Sequence, residues 1–577
     1  MGNKIWVCDE EVSARFPVYT RGNVGEVYSD VTSPLTWSAY GPHVLEAGCR
    51  DAFYEMGVFT PDEFRPAPEC DFLGCFGGYV YLNMSVSRVL AVRIPGMTTE
   101  AIDKSLFGDY PDVPPYWADP RDQNAERSAA VSTWLMSLFT TDPKLVTDQD
   151  RVRLDALIAK RPDFATLSDA QLLEYFRSLR AEGRRLLKRH VLNTYGANVL
   201  IGMIAQICQA VGAGELAARV TSAVGDVDSA VQSFELWELS RQVKSSPAVT
   251  AAFAQGVDGL LNRLRASGDP GAKRFLEQWD AFSDRWGFLG PSVWEFRSPT
   301  YRTHPEIPLR MLDRARRAPD SSSPKARSAA LIAEREAAIA EIARRLAGNA
   351  ELQVQFMGAA RAAANYLAAR ERSKVLGTRL MDEARTAVRE LGQRLVKRGH
   401  LSRWEHVLLV TNDEADAFVA NPPAYAGLIT ERAARLEMLQ SKEPPFVFEG
   451  EPPPLSAFKD RNSGKVKTAT AGAQLTGIGV SPGCYTGRAR VITSLVVDSE
   501  LEPGEVIVAV TTDASWGPLF LAAGAVVVET GAAISHAAIV SRELGIPAAV
   551  SVTGATRRIR DGSTITVDGN TGTVTVH

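Results

Sequence analysis

The sequence predicts a multidomain chain, with a mainly α-helical body followed by a C-terminal α/β domain of β/β/α type. Three observations carry this reading. The 577 residues exceed one ordinary domain and suggest about two to four. Between about 126 and 440, segments such as LSDAQLLEYFRSLRAEGRRLLKRHVL and KARSAALIAEREAAIAEIARRLAG repeat apolar residues at three-and-four spacing with charges between them, the signature of amphipathic helix. From Thr476 onward short β-type runs dominate, interrupted by one clear helical run.

Residues 1 to about 125 are rich in aromatics, Gly and Pro. They read as irregular loops with short strands and helices. In the helical block, Ser168-Asp169 offers an N-cap for the first amphipathic run. The stretch ANVLIGMIAQICQAVGAGELAARV is broken by Gln206, Gln209 and glycines and falls short of the roughly 18 uninterrupted apolar residues of a membrane span, so it reads as a buried helix. RWGFLGPSVWEFRSPTYRTHP, residues 285–305, is a loop because Gly and Pro interrupt any helical period. SKEPPFVFEGEPPPLSAFKDRNSGKVKTATAG, residues 441–472, lacks periodicity and reads as a flexible linker with a reach of about 100 Å when extended. The expected domains are therefore 1–440, a linker at 441–472, and 473–577. In the last, GRARVITS, EVIVAV, GAVVVET, PAAVSV and STITVDGNTGTVTV are strands, turning at Gly504, Asp561-Gly562 and Asp568-Gly569. HAAIVSREL is the helix, stopped by Gly545 and Pro547.

Hydrophobic content of 45% and charged content of 23% are those of a soluble globular protein. The net charge of −4, with basic residues mixed among acids, carries no nucleic-acid footprint. Six cysteines are scattered without a CxxC pair, which fits a reducing compartment, and no metal site is read from their spacing. The start MGNKIWVCDEEVSARF has no basic-then-apolar leader pattern. These features make a cytoplasmic protein with no membrane partner the expectation.

One histidine stands apart. In ETGAAISHAAIVSRELGIPAAV, residues 529–550, His536 lies where a small-residue turn enters a helix. Ser535 as N-cap places it in the first turn, where unpaired backbone N–H groups and the positive dipole end favour an anion. Gly531, Ala532 and Ala533 leave room for an approaching group, and Arg542 follows six residues later. Neutral imidazole is nucleophilic near pH 7 and forms covalent intermediates. From spacing alone, an ordinary histidine at a helix start is the competing explanation.

SPGCYTGRARVI (481–492), TTDASWGPLFLAAGAVVVETGAAISHAAIVSRELGIPAAV (511–550) and GATRRIRDGSTITVDGNTGTVTV resemble, in order, the phosphohistidine swivelling domain of the phosphoenolpyruvate-utilising, dikinase-type phosphotransferases. That family includes rifampin phosphotransferase and phenylphosphate synthase. The resemblance implies that His536 is the phosphorylated residue, supported by Ser535 and Arg542. The family often has Gly-Gly-x-Thr-Ser-His, and here Ile534 replaces the Thr. RGNVGEVYSDVTSPLTWSAYG, residues 21–41, resembles the segment that follows the family's nucleotide-binding domain. AARERSKVLG resembles its Arg-Glu-x-x-Lys helix, which implies that Arg370 and Lys374, four apart on one face, clamp the phosphoryl group.

Where the family reads Gly-His-Arg-Gly, this chain has Gly287-Phe288-Leu289-Gly290, which points to an apolar acceptor. Phe288, Glu295, Arg297 and Glu371 are the possible acceptor-site residues, with Glu295, Glu371 and His304 as candidate bases. No ATP-grasp region or phosphate loop is read in the chain, and no pyruvate-binding barrel follows. The resemblance therefore implies the 1–440 body as the acceptor-binding domain of a split system. A partner ATP-grasp subunit with ATP and Mg²⁺ phosphorylates His536 in trans, leaving AMP and phosphate, and a small phenolic hydroxyl compound such as phenol or cresol accepts the group. The alternatives are a larger rifamycin-like antibiotic, pyruvate or water as acceptor, or a non-catalytic binding protein that keeps a decayed swivelling domain.

Overall fold

Among the described residues a four-stranded antiparallel sheet and an eight-stranded mixed sheet are the larger of three sheets. The computed structural model describes residues 4–108, 110–225, 227–320, 323–461, 468–495, 501–532 and 535–577. The chain divides into two units, the first formed by Met1–Gly196, Ser292–Ser298 and Ser373–Lys465, the second by Ala197–Pro291, Pro299–Arg372 and Val466–His577. The expected single body at 1–440 is therefore corrected. Most of its middle clusters with the C-terminal domain, because long helices such as Arg180–Ala210 and Ala350–Lys397 have residues in both units and hide the division from a periodicity scan.

The first unit carries strands β1 (Val18–Thr20), β2 (Leu73–Phe76), β3 (Tyr79–Asn83), β4 (Lys442–Glu443), β5 (Val447–Glu449) and β6 (Lys459–Asp460). Its main sheet is antiparallel in the order β2-β3-β1-β5, with Tyr19 opposite both Asn83 and Phe448, and β4 pairs β6 separately. Residues 441–461 are thus not the expected linker. Their proline-rich composition masks aromatic anchors: Phe448 stacks on Tyr19 at 5.4 Å between ring centroids, and Phe458 is buried 6.1 Å from Tyr79. Tyr81 also donates its hydroxyl to the Pro445 carbonyl at 2.7 Å. Of the expected linker, residues 462–467 lie outside the described residues.

Beside this sheet, helix Pro34–Tyr40 runs through a π-helical turn, Gly41–Glu46, into helix Ala47–Glu55. Such π-helical turns are rare and short. Here the buried Glu46 carboxylate pairs with Arg50 Nε at 2.6 Å and accepts the backbone N–H groups of Asp71, Phe72 and Leu73. The expected cap at Ser168 is present as a capping box with Gln171. The helical stretch Asp169–Ala210 is long and apolar enough to cross a membrane by length and composition, and half of its most apolar window is buried inside the protein.

The helical part of the second unit follows its periodicity. In helix Pro270–Trp286 the residues Phe275, Trp279, Phe282 and Trp286 are all buried along one stripe, and Asp269 caps the helix by accepting from Ala272 N. The unit's sheet comprises β7 (Gln474–Thr476), β8 (Ile478–Ser481), β9 (Cys484–Ile492), β10 (Val506–Ala509), β11 (Ala525–Val528), β12 (Ala548–Val550), β13 (Thr564–Asp568) and β14 (Thr573–Val576). Their order is β7-β14-β13-β9-β10-β11-β12-β8, parallel from β9 to β12 and antiparallel outside it. The parallel strands VIVA and AVVV are buried at every position, whereas β13 buries Ile565 and Val567 in alternation. This α/β arrangement after a helical region is the fold class expected from the sequence.

Candidate functional site

Between β11 and β12 the chain forms helix His536–Leu544, the span predicted from HAAIVSREL. Ser535 is its N-cap, in extended conformation, and Ser535 Oγ accepts from Ala538 N at 3.4 Å. Gly545 closes the helix in the left-handed region at φ 64°, a conformation that favours glycine. His536 is thus the first helical residue. Its side chain is fully buried at 0% exposure and meets the Phe520 ring edge-on, 6.0 Å between centroids. Ala533 and Ile534, the latter standing in place of the family threonine, lie outside the described residues.

Arg542 takes a different place from the one expected. Six residues on, it is turned roughly 120° around the helix from His536. Its Nε donates to the Val480 carbonyl at 2.6 Å, tying the helix to β8, and burial lowers its pKa to about 10. Glu543, which the sequence did not single out, anchors the helix at the other end. It accepts from Val224 N at 2.9 Å and Gly225 N at 3.5 Å.

Burial pushes the Glu543 carboxyl up to about 7, against the opposing pull of these N–H groups and of Arg335 and Arg542. A carboxyl whose folded pKa is raised contributes stability below its ordinary value of 4.5 and loses it as pH rises through about 7. We expect on the order of 2–3 kcal/mol of second-unit stability to disappear over that window and Glu543→Gln to flatten the slope. Denaturant unfolding of both proteins across the window checks this.

The remaining predicted residues divide between the two units. Phe288 is buried in the second unit beside Trp286, ring centroids 6.3 Å apart, as core rather than as a pocket wall. Arg370 and Glu371, also in the second unit, are both buried and pair with each other. Glu295 and Arg297 belong to the first unit. Glu295 Oε1 accepts from Ser33 Oγ at 2.5 Å, Thr36 Oγ1 at 3.1 Å and Arg297 N at 3.3 Å. Its Oε2 accepts from Thr32 Oγ1 at 3.0 Å and Ser33 N at 2.9 Å. The carboxylate thus sits at the N-terminus of helix Pro34–Tyr40, where the helix dipole favours it. Arg297 pairs with Asp30 at 3.0 Å. His304 Nδ1 lies 2.8 Å from Thr303 Oγ1.

Lys374 is on the same continuous helix as Arg370 but in the first unit. There it lines a narrow cleft of about 20 Å³ with Leu187, His190, Trp294, Ser373 and Gly377. The π-helical residues Val44 and Leu45 close its other side. Lys374 is 7% exposed and has no ion-pair partner among the described residues, while His190 Nδ1 approaches Ser373 Oγ at 3.3 Å. His190 and Trp294 were not singled out in the sequence. Each sits at an apolar spacing or in a loop that reads as structural.

Comparison with known proteins adds to this geometry. Residues 190–371 match the family model of the rifampicin phosphotransferase fourth domain, and residues 501–572 match that of the mobile domain of PEP-utilising enzymes. A rifampicin phosphotransferase from a Streptomyces species is 29% identical over 448 residues, covering 75% of this chain and 50% of its own. The prodigiosin synthesizing transferase of Serratia marcescens is 28% identical over 626 residues, covering 99% of this chain and 64% of its own. An uncharacterised protein of Mycobacterium tuberculosis is 33% identical over 292 residues, covering 50% of this chain and 30% of its own. The chain spans roughly a third to two thirds of the length of these relatives.

Proposed function

We propose that this chain, which matches the rifampicin phosphotransferase fourth domain over 190–371 and the mobile domain of PEP-utilising enzymes over 501–572, carries a phosphoryl group on His536 and delivers it to a hydroxyl acceptor. The observation that carries the reading is His536 itself, the first residue of a capped helix inside the mobile-domain match. In the first half-reaction the neutral imidazole attacks phosphorus and the donor's P–O bond breaks. In the second, the acceptor oxygen attacks phosphorus, the electron pair of the breaking P–N bond returns to the ring to regenerate neutral imidazole, and the acceptor's hydroxyl proton passes to solvent. An ATP-grasp partner with Mg²⁺ supplies the first phosphoryl group. Among the described residues no group of three or more His, Cys, Asp or Glu is placed to hold a metal ion.

The acceptor is a small phenolic compound. The mostly apolar cleft of the first unit supports this, because its single buried cation, Lys374, suits an ionised phenol oxygen or the transferred phosphoryl group. At about 20 Å³ the cleft has little more than one water's room, so admitting a ring requires its lining side chains to move. The experiment is a chase. Protein carrying labelled phosphate is mixed with phenol, cresol, pyruvate or a rifamycin. Label recovered as aryl phosphate, abolished by filling the cleft with Gly377→Leu, is the expected result. Transfer to the rifamycin, to pyruvate or only to water contradicts the phenolic assignment.

A second reading rests on the match that spans 99% of this chain to a synthesizing transferase. In it the phosphoryl group activates the acceptor for bond formation with another molecule. Release of free phosphate with a coupled product, rather than accumulation of a phosphorylated acceptor, distinguishes it.

A further inference from the structure

Where the mobile domain meets helix Asp228–Ser245 of the same unit, buried polar atoms gather without hydrogen-bond partners among the described residues. They are Ser229 Oγ, Ser233 Oγ and Gln232 Oε1 on the helix, and Thr511 Oγ1 and Thr512 Oγ1 on the loop after β10. Ser229, Gln232, Ser233 and Thr512 are at most 2% exposed. A buried polar group left unpaired is destabilising, and native structures keep few of them without a reason.

The group has a direction. Ser229 and Ser233 are one turn apart, on one face of the helix. A Cβ placed on Gly517 of the mobile domain is 3.0 Å from both Ser233 Oγ and Gln232 Nε2, and that Nε2 donates to the Ala514 carbonyl. Val227, the N-cap, contributes no side-chain cap, so the helix's first N–H groups add their positive end, while the Asp228 carboxylate in the same turn pairs with Arg372 at 3.6 Å. The one acid on the facing loop, Asp513, accepts from Ser515 N at 2.9 Å and Ser515 Oγ at 2.5 Å.

Two contacts connect the helix that His536 opens to this seam. Gly517 opens the short helix Gly517–Phe520, whose last residue is the Phe520 that meets the His536 ring. At the far end of the histidine helix, Glu543 is held by Val224 and Gly225, which lead into helix Asp228–Ser245, and the two helices pack against each other.

We propose that this seam is a phosphoryl-binding site that receives the group carried by His536 when the mobile domain is docked. The hydroxyls of Ser229, Ser233, Thr511 and Thr512 donate to the phosphoryl oxygens, and Gln232 Oε1 accepts from a protonated one. The inference rests on the phosphohistidine reading above. Its consequence is a linkage: the unphosphorylated domain docks with unpaired polar groups, and phosphorylation pairs them, so phosphorylation strengthens docking. Ser229 and Ser233 act as positioning residues.

The test loads the full chain with phosphoramidate, whose P–N bond breaks, releasing ammonia, as the imidazole–phosphorus bond forms. Hydrogen exchange is then followed in peptides covering 511–520 and 536–544. In the wild type, loading slows exchange by at least about tenfold, the equivalent of one hydrogen bond to a charged group. In the Ser229→Ala/Ser233→Ala double variant, exchange before loading is as slow as in the wild type or slower, because unpaired hydroxyls are gone, and loading slows it no further. Phosphohistidine lifetime, read by phosphorus NMR, shortens in the variant. Equal slowing in both proteins, or faster exchange in the unloaded variant, overturns the seam. Label on His536 with equal slowing overturns the seam alone, whereas failure to label His536 overturns the phosphohistidine reading with it.

Discussion

His536→Ala loses phosphoryl transfer by at least about 10⁴-fold while the protein stays folded. Removing a covalent nucleophile leaves only binding and orientation, which do not replace the missing P–N bond, and losses of this order follow when such a residue is deleted. The ring is fully buried against Phe520, so its removal also opens a small cavity in the second unit. The expected stability loss is about 1–3 kcal/mol. Turnover and thermal unfolding measured on the same preparation separate the two effects. His536→Asn, which keeps a polar group at the helix start, is equally inactive and recovers part of the stability. A non-catalytic binding protein gives the opposite pattern, with unchanged ligand affinity in both variants.

Glu295→Ala destabilises the first unit by about 3–5 kcal/mol, because the donors from Thr32, Ser33, Thr36 and Arg297 are left in a buried setting without their acceptor. Glu295→Gln restores one acceptor oxygen and loses less. Activity falls in proportion to the unfolded fraction and recovers on cooling. A base at this position produces the reverse signature, an unchanged melting temperature with kcat reduced and a pH profile that loses its acidic limb. Denaturant unfolding beside a kcat measurement on each variant decides between them.

The C-terminal domain was legible because its signals are local. Strand runs, turn glycines and a capped helix fall in the order the structure shows, and Ser535, His536 and Gly545 occupy the predicted cap, first-turn and stop positions. The helical body was legible as helix but not as domains. Periodicity reports which face of a helix is buried and not which neighbour buries it, so the division inside Ala350–Lys397 leaves no mark on the sequence. The stretch 441–461 was misread because proline and glycine suggest a linker, while Phe446, Phe448 and Phe458, which tie it to the N-terminal sheet and loops, are spaced too irregularly to register.

The candidate site divides in the same way. His536 follows from a local pattern. The seam of Ser229, Gln232 and Ser233 depends on what faces that helix, and in the run SAVQSFELWEL the serines look like ordinary helix surface. Glu295 and Phe288 carried chemically suggestive types, yet the fold uses one as a helix-terminus anchor and the other as core.

The measurement that bears most directly on the central claim is peptide mapping of the phosphoryl group after incubation with Mg-ATP and an ATP-grasp partner. Acid-labile phosphate confined to the peptide containing His536, absent from His536→Ala, is the predicted result. Phosphate on another residue, or none on His536 while the partner turns over ATP, contradicts it.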